Sequence, residues 1–149
     1  MKLKSFKGMN CSLAQTLNIV GERWSLLIIR DISFGTTHFD EIQKSLGVAR
    51  NMLSTRLKHL TEADILRKEA DDAGRSQYKL TDKGWDLMPV LLSMTHWGDK
   101  HVPDEAGDRV VFVDQKTGRP IQPMGIHDAD GSRINYYDIK PEFGPALRR

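Results

Sequence analysis

Apolar residues recur at helical spacing through most of the first hundred residues of the chain. Two early segments repeat apolar positions at i, i+3 or i+4, which predicts amphipathic helices ending at Gly21 and near Gly35. The positions at helical spacing are Leu13, Leu17 and Val20 in the first segment and Trp24, Leu27, Ile28 and the polar Asp31 in the second.

Two further helices are predicted with only a short turn between them. The first should begin after Thr37, because Asp40 stands three residues on in a capping-box-like arrangement, and should end at Gly47. The next should span about residues 50–64. Two helices joined by so short a Gly-containing turn are typical of a helix-turn-helix.

A hairpin and a long apolar helix are expected next. The runs ILRKEA and QYKL have strand character, and the DDAGRS between them favours a turn. Thr81 should cap a helix that reaches His101. Pro89 should kink this helix near its middle, because proline has no N–H donor and clashes with the preceding turn.

The composition changes after His101. Residues 102–149 hold five of the six prolines and five of the twelve glycines, with RVVFVD and SRINYYDI as strand candidates. The elements therefore predict an α+β, mainly α fold. We expect a winged helix-turn-helix domain over residues 1–101, for DNA binding and dimerisation, and a small β-rich C-terminal extension over residues 102–149.

Charge and cysteine content narrow the function classes. The net charge is only +2, and residues 1–101 carry 15 Lys plus Arg against 12 Asp plus Glu, so any attraction to phosphate must come from a local patch. A single cysteine excludes an intramolecular disulfide and favours a reducing cytoplasm. The start of the chain does not resemble a signal peptide, and no apolar run reaches the length of a membrane span.

The helix NMLSTRLKHL has a polar side opposite Leu53, Leu57 and Leu60. In a winged helix-turn-helix the second helix enters the major groove, so this side is the candidate DNA-reading face. Its residues are Arg50, Asn51, Ser54, Thr55 and Lys58. The alternative is the solvated side of an ordinary amphipathic helix.

Two flanking elements favour DNA binding over the solvated-face alternative. Thr37 and His38 open the preceding helix, whose free N–H groups can hold a phosphate. The hairpin presents Arg75 and Ser76, and an arginine at a wing tip can enter the minor groove, although the adjacent Asp71 and Asp72 should repel phosphate. The two carboxylates thus count against a phosphate contact at the wing.

Three segments together resemble the HxlR family of bacterial winged-helix, MarR-like transcriptional regulators. They are the run from CSLAQTLNIVGERW to LTEADILRKE, then YKLTDKG, and then LLSMTHWGDKH, over about residues 9–101. The resemblance implies a dimeric, cytoplasmic repressor or activator that binds an imperfect palindrome in duplex DNA. It also implies that helices near the two ends of the domain form the dimer interface.

An apolar excess on GWDLMPVLLSMTHW independently favours an interface there, with core burial as the alternative. The interface candidates on both helices are Leu13, Leu17, Trp85, Met88, Leu91, Leu92, Thr95 and Trp97.

Cys11 matches the position at which several members of the family sense oxidants or electrophiles. A helix N-terminus and a cation such as Lys7 would favour the reactive thiolate. Ser12 follows here where the family more often has proline, and a small packing residue at the dimer interface is the alternative.

No catalytic or metal site is expected. The five histidines have no metal-binding spacing, and DADGS lacks the later ligands of a calcium loop, so a hairpin turn is the better interpretation. No nucleophile elbow or phosphate loop occurs, so neither an enzyme nor a cofactor is predicted. Two alternatives remain: a protein-interaction module without DNA binding, and, more weakly, a small enzyme that uses the extension. A steep salt dependence would favour DNA.

Overall fold

The computed structural model describes residues 5–147, which divide into two compact units on either side of the Leu87–Met88 bond. The first unit contains α1 Ser12–Val20, α2 Ser25–Ser33, α3 Phe39–Leu46, α4 Arg50–Glu62, β1 Leu66–Ala70, β2 Ser76–Leu80 and α5 Asp82–Trp85. The second contains α6 Met88–His101 and two short 3-10 turns, Tyr136–Asp138 and Pro145–Leu147. The order of helices and strands is that of a mainly helical α+β winged helix-turn-helix, as predicted. None of the helices within residues 5–147 is both long and apolar enough to span a bilayer.

The core of the first unit is formed by aliphatic side chains from four helices and both strands. Its least exposed large members are Ile28, Ile29, Ile42, Leu53, Leu57, Leu60 and Leu66. Each such side chain contributes about 1.5–3 kcal/mol when it is removed from water. The leucine side of α4 is therefore buried as predicted, and this burial determines which side of the helix faces solvent.

The turn between α3 and α4 depends on Gly47. Its φ of 61° is left-handed, and its N–H donates to the Gln43 carbonyl at 2.9 Å, which ends α3 where predicted. The Gln43 side-chain amide donates to the Val48 carbonyl at 3.3 Å. The backbone then enters α4 through extended Ala49.

The predicted cap at Thr37 is wrong by one residue. His38 is the N-cap of α3, in an extended conformation, and its side chain makes no capping hydrogen bond. The Thr37 hydroxyl instead donates to Gln77 Oε1 at 3.3 Å, and the Thr37 carbonyl accepts from the Tyr78 N–H at 2.8 Å. Thr37 is therefore hydrogen-bonded to the second strand of the hairpin and does not cap its own helix.

The hairpin forms as predicted and packs close to the helix-turn-helix. Its strands are antiparallel, with Leu66 opposite Leu80 and Ala70 opposite Ser76. Gly74, at a φ of 77°, lies in the connecting turn. This hairpin is the wing, defined as residues 66–80.

The helix predicted to kink at Pro89 is two helices. Thr81 does cap the first, since its hydroxyl accepts from the Gly84 N–H at 3.1 Å. The first helix ends at Trp85, and α6 begins at Met88. Pro89 therefore lies in the first turn of α6, where a backbone N–H has no intrahelical acceptor to lose.

The extension is held by turns and bridges instead of by continuous strands. Among the residues that the structure describes, the two strand candidates form only isolated bridges, Val113 with Pro120 and His127 with Arg133. The Asp128 carboxylate accepts from the N–H groups of Asp130 and Ser132 at 3.0 and 2.9 Å, so DADGS is a hairpin turn. Proline provides no N–H for a longer ladder at Pro120, which helps to limit the first pairing to one bridge.

Candidate nucleic-acid interface

The polar face of α4 is exposed along its length. Asn51, Ser54, Thr55 and Lys58 are all exposed, whereas Leu53, Leu57 and Leu60 on the opposite side are at most 1% exposed. The Thr55 hydroxyl donates to the Asn51 carbonyl at 2.8 Å, and Asn51 Oδ1 accepts from the Met52 N–H at 2.8 Å. The side-chain amide nitrogen of Asn51 and the hydroxyl oxygen of Thr55, as an acceptor, remain available to a ligand on the exposed face of α4.

Arg50, the first residue of α4, is anchored on α3. Its Nη1 donates to Asp40 Oδ1 at 3.1 Å, and its guanidinium carbon lies 4.6 Å from the ring centroid of Phe39. The side chain is still 71% exposed. The stacking and the ion pair thus orient a planar group with several donors left for a base edge or a phosphate.

Lys58 lies further along the same face, toward the C-terminal end of α4. Its side chain is 77% exposed, and its Nζ lies 3.8 Å from Glu62 Oε1 one turn further on. An exposed pair of this kind is weak. The cation is therefore free to exchange its carboxylate partner for a phosphate.

The N-terminus of α3 is connected to the wing. His38 Nε2 lies 3.0 Å from Asp71 Oδ2, and His38 Nδ1 lies 3.4 Å from Glu41 Oε2. Together with the bonds from Thr37 to β2, this contact holds the start of α3 against the hairpin. Both predicted phosphate-contacting residues at this end of α3 are therefore partly buried and already hydrogen-bonded.

The wing arginine, Arg75, is held by Asp71, one of the two carboxylates that were expected to repel phosphate. Arg75 Nε and Nη2 lie 3.0 and 2.9 Å from Asp71 Oδ2, and the Arg75 side chain is 66% exposed. Hydrogen bonds from the Arg75 N–H above all, and from His38 and the Arg75 side chain, lower the pKa of Asp71 to about 2. The Asp71 carboxylate is therefore fixed in place by its hydrogen bonds. The neighbouring Asp72 is exposed, and so is Ser76, which begins β2.

Asp40, Phe39 and Asp71 are the residues of this surface that sequence reasoning missed or misjudged. Asp71 has a sequence signal, because an Asp that opens a DDAGR turn commonly accepts N–H groups further along the turn. Asp40 and Phe39 have no comparable signal. Their contact with Arg50 depends on the angle between α3 and α4.

The interface candidates differ in exposure. Leu13, Leu17, Trp85 and Trp97 are 67, 42, 49 and 62% exposed, whereas Met88, Leu91, Leu92 and Thr95 are of intermediate exposure. No residue of α6 is buried within the described part of the chain. Large apolar side chains are thus accessible both on α1 and on α6.

Cys11 is exposed and free, and it is the N-cap residue of α1. Its carbonyl accepts from the Gln15 N–H at 3.0 Å, while its thiol makes no capping hydrogen bond. The sulfur is therefore accessible beside the N–H groups of the first helical turn.

Known proteins are similar to this chain in sequence and in fold. A family model described as HxlR-like helix-turn-helix matches residues 19–106. An uncharacterized HTH-type transcriptional regulator of Mycobacterium tuberculosis is 32% identical over 139 residues, which cover 92% of this chain and 88% of the relative. The crystal structure of PA1607, assigned as a transcription factor, has a TM-score of 0.85 at 34% identity and covers 93% of this chain and 99% of its own.

The HTH-type transcriptional regulator YodB of Bacillus subtilis is 31% identical over 101 residues, or 66% of this chain and 88% of YodB. Its reduced form has a TM-score of 0.53 and covers 67% of this chain and all of that chain, and YodB has also been solved bound to quinone. Since the family model spans more than half of the chain and the relatives are named as regulators, the chain belongs to the HxlR-like helix-turn-helix family and is a DNA-binding transcriptional regulator.

Proposed function

We propose that the protein acts as a homodimer that places one α4 helix in each of two successive major grooves of an imperfect palindrome. The observation that carries this proposal is the division of α4 into a buried leucine face and an exposed face of short polar groups and cations. A helix inserted in the major groove meets base edges with residues toward its N-terminus. The two half-sites should lie about 34–36 Å apart, one turn of DNA.

Each exposed residue of α4 has an assigned role in this proposal. Asn51 pairs with adenine, and Arg50, oriented by Phe39 and Asp40, contacts guanine or the backbone. Ser54 and Thr55 reach bases or phosphates, and Lys58 neutralises a phosphate. Base contacts therefore concentrate in the first turn of the helix.

Two flanking elements complete the contact. The N-terminus of α3, at Thr37 and His38, faces a phosphate with its free N–H groups. Arg75 and Ser76 of the wing reach the adjacent minor groove, where the negative potential of narrow A·T-rich DNA attracts arginine.

Dimerisation is proposed through the accessible apolar surfaces of α1 and α6. Leu13 and Leu17 of α1 and Trp97 of α6, together with Trp85 at the end of α5, are more than two-fifths exposed in the single chain. Apolar patches of this kind usually mark an interface. On this proposal residues 1–101 form the DNA-binding and dimerisation domain of a cytoplasmic regulator, and residues 102–149 are an extension appended to it.

An oxidant or electrophile is the proposed effector, with Cys11 as its target. The exposed thiol at the start of α1 lies beside a proposed dimer helix, so an adduct or an intermolecular disulfide would change the relation between the two DNA-reading helices. The regulator YodB, solved both reduced and bound to quinone, supports this class of effector by similarity.

A footprint of the purified protein on DNA upstream of its own gene tests the proposal. Two protected half-sites centred about one helical turn apart, bound by a species that sediments as a dimer, are the expected result. Protection of one isolated half-site by a monomer would contradict it. Affinity that falls steeply with salt would separate DNA binding from a protein-interaction role.

A further inference from the structure

The Asp71 carboxylate connects three parts of the DNA-facing surface. Its Oδ1 accepts from the backbone N–H groups of Ala73 and Arg75 at 3.0 and 2.8 Å. Its Oδ2 accepts from Arg75 Nε at 3.0 Å and lies 3.0 Å from His38 Nε2. One side chain thus closes the wing turn, binds the wing arginine and contacts the N-cap of α3.

This arrangement leaves the outer edge of Arg75 free. A guanidinium has five N–H donors, and Asp71 occupies only the Nε and Nη2 side. With 66% of the side chain exposed, the remaining donors face solvent. A guanidinium held in this way loses less rotamer freedom when it binds than an arginine free to move.

Asp71 and its neighbour Asp72 differ in burial. Its side chain is only 14% exposed, whereas Asp72 is exposed at the same wing tip. Both carboxylates carry the same charge, and they precede the same arginine by four and three residues in sequence. If charge alone mattered, both would repel phosphate and their removal would have the same effect.

We propose that Asp71 is a positioning residue that holds Arg75 toward the minor groove and, through His38, keeps the wing in register with α3. This inference rests on the proposed wing contact, because orienting Arg75 matters only where the wing meets DNA. It assigns opposite roles to two adjacent carboxylates, one that supports binding and one that opposes it.

The charge-matched pair Asp71→Asn and Asp72→Asn tests the inference. Binding is measured with two duplexes that share the footprinted site but differ in having A·T or G·C pairs beneath the wing. The wild type should prefer the A·T duplex by about 5- to 10-fold, the size of a modest groove contact. Asp71→Asn should lose most of this preference, whereas Asp72→Asn should keep it and bind both duplexes somewhat more tightly.

Arg75→Ala distinguishes failure of the inference from failure of the proposed function. If Arg75→Ala loses the preference but Asp71→Asn keeps it and binds more tightly, the wing contact stands and the positioning role of Asp71 is refuted. If Arg75→Ala changes neither affinity nor preference, the wing does not read DNA, and the inference falls with that contact. If both variants lose the preference while Asp72→Asn keeps it, the inference is supported.

Thermal unfolding and a second variant, Arg75→Lys, separate a loss of positioning from a loss of folding. Asp71→Asn keeps an oxygen for the N–H groups of Ala73 and Arg75, so the variant should stay folded at neutral pH, with thermal unfolding lowered only by the loss of the carboxylate charge. Arg75→Lys leaves Asp71 and the turn backbone intact but replaces the planar fork with a single ammonium. It should also lose the A·T preference with unchanged unfolding, and a lysine variant that keeps the preference would overturn the inference.

Discussion

The guanidinium of Arg50 lies over the ring of Phe39, 4.6 Å from its centroid, so the first residue of α4 rests on the first residue of α3. The same guanidinium donates to Asp40 at 3.1 Å. The start of α4, the proposed DNA-reading helix, is thereby oriented by the helix before it.

Arg50→Lys should weaken operator binding although the charge is kept. A lysine cannot stack its head group in the same plane or offer the same fork of donors, and the lost stacking is about 0.5–1 kcal/mol at an exposed site. Titration of the footprinted duplex measures the change. Phe39→Leu should reproduce part of the loss, and wild-type affinity for both variants would show that orientation by Phe39 is irrelevant.

Asn51→Ala should relax sequence preference at one position of each half-site. A specific base contact is worth about 1–3 kcal/mol, and losing it should weaken the cognate duplex more than a duplex substituted at that position. Competition between the two duplexes measures the difference. An equal loss on all sequences would assign Asn51 to the backbone instead.

Lys58→Gln should weaken all sequences alike and flatten the salt dependence. Loss of one phosphate contact per subunit reduces the slope of log affinity against log salt by about 0.9 for each contact. Lys140→Gln is the matched control, because Lys140 is 80% exposed, pairs with Glu142 and lies in the extension. Slopes that change equally in both variants would remove Lys58 from the interface.

Oxidation should change operator affinity only when Cys11 is present. Diamide treatment of the wild type should alter binding through an intermolecular disulfide or a small-molecule adduct, and a reducing agent should restore it. Gel-shift titration of wild type and Cys11→Ala, before and after treatment, measures the effect. The same response from both proteins would exclude Cys11 as the sensor.

Acid should destabilise the wild type partly through Asp71. The folded pKa of about 2 lies below the ordinary value of 3.8, so the stabilisation is present above pH 4 and is lost as the pH falls from about 4 toward 2. Urea unfolding at pH 7 and pH 3, at one protein concentration, measures the free energy of unfolding. Asp71→Asn should lose less stability between these values than the wild type, and identical losses would contradict the assignment.

Local sequence determined most of the elements of the first unit. The leucine repeat of α4, the left-handed Gly47 and the DDAGRS turn each act within a few residues, so their signals can be read directly. The same signals were insufficient for the extension, where single bridges replaced the two predicted strands. Strand character in a short segment does not produce a ladder without a partner of matching register.

Only the tertiary structure decided which polar groups meet on the proposed DNA-facing surface. His38 and Asp71 are 33 positions apart and Thr37 and Gln77 are 40 apart, yet each pair lies within hydrogen-bonding distance. These contacts depend on how the core places the wing against α3. Contacts between residues so far apart in sequence produce no periodic pattern from which they could be predicted. The sequence by itself therefore determined α4 and its buried leucine side, whereas the fold decided that Asp71, which was expected to repel phosphate, binds Arg75 of the wing.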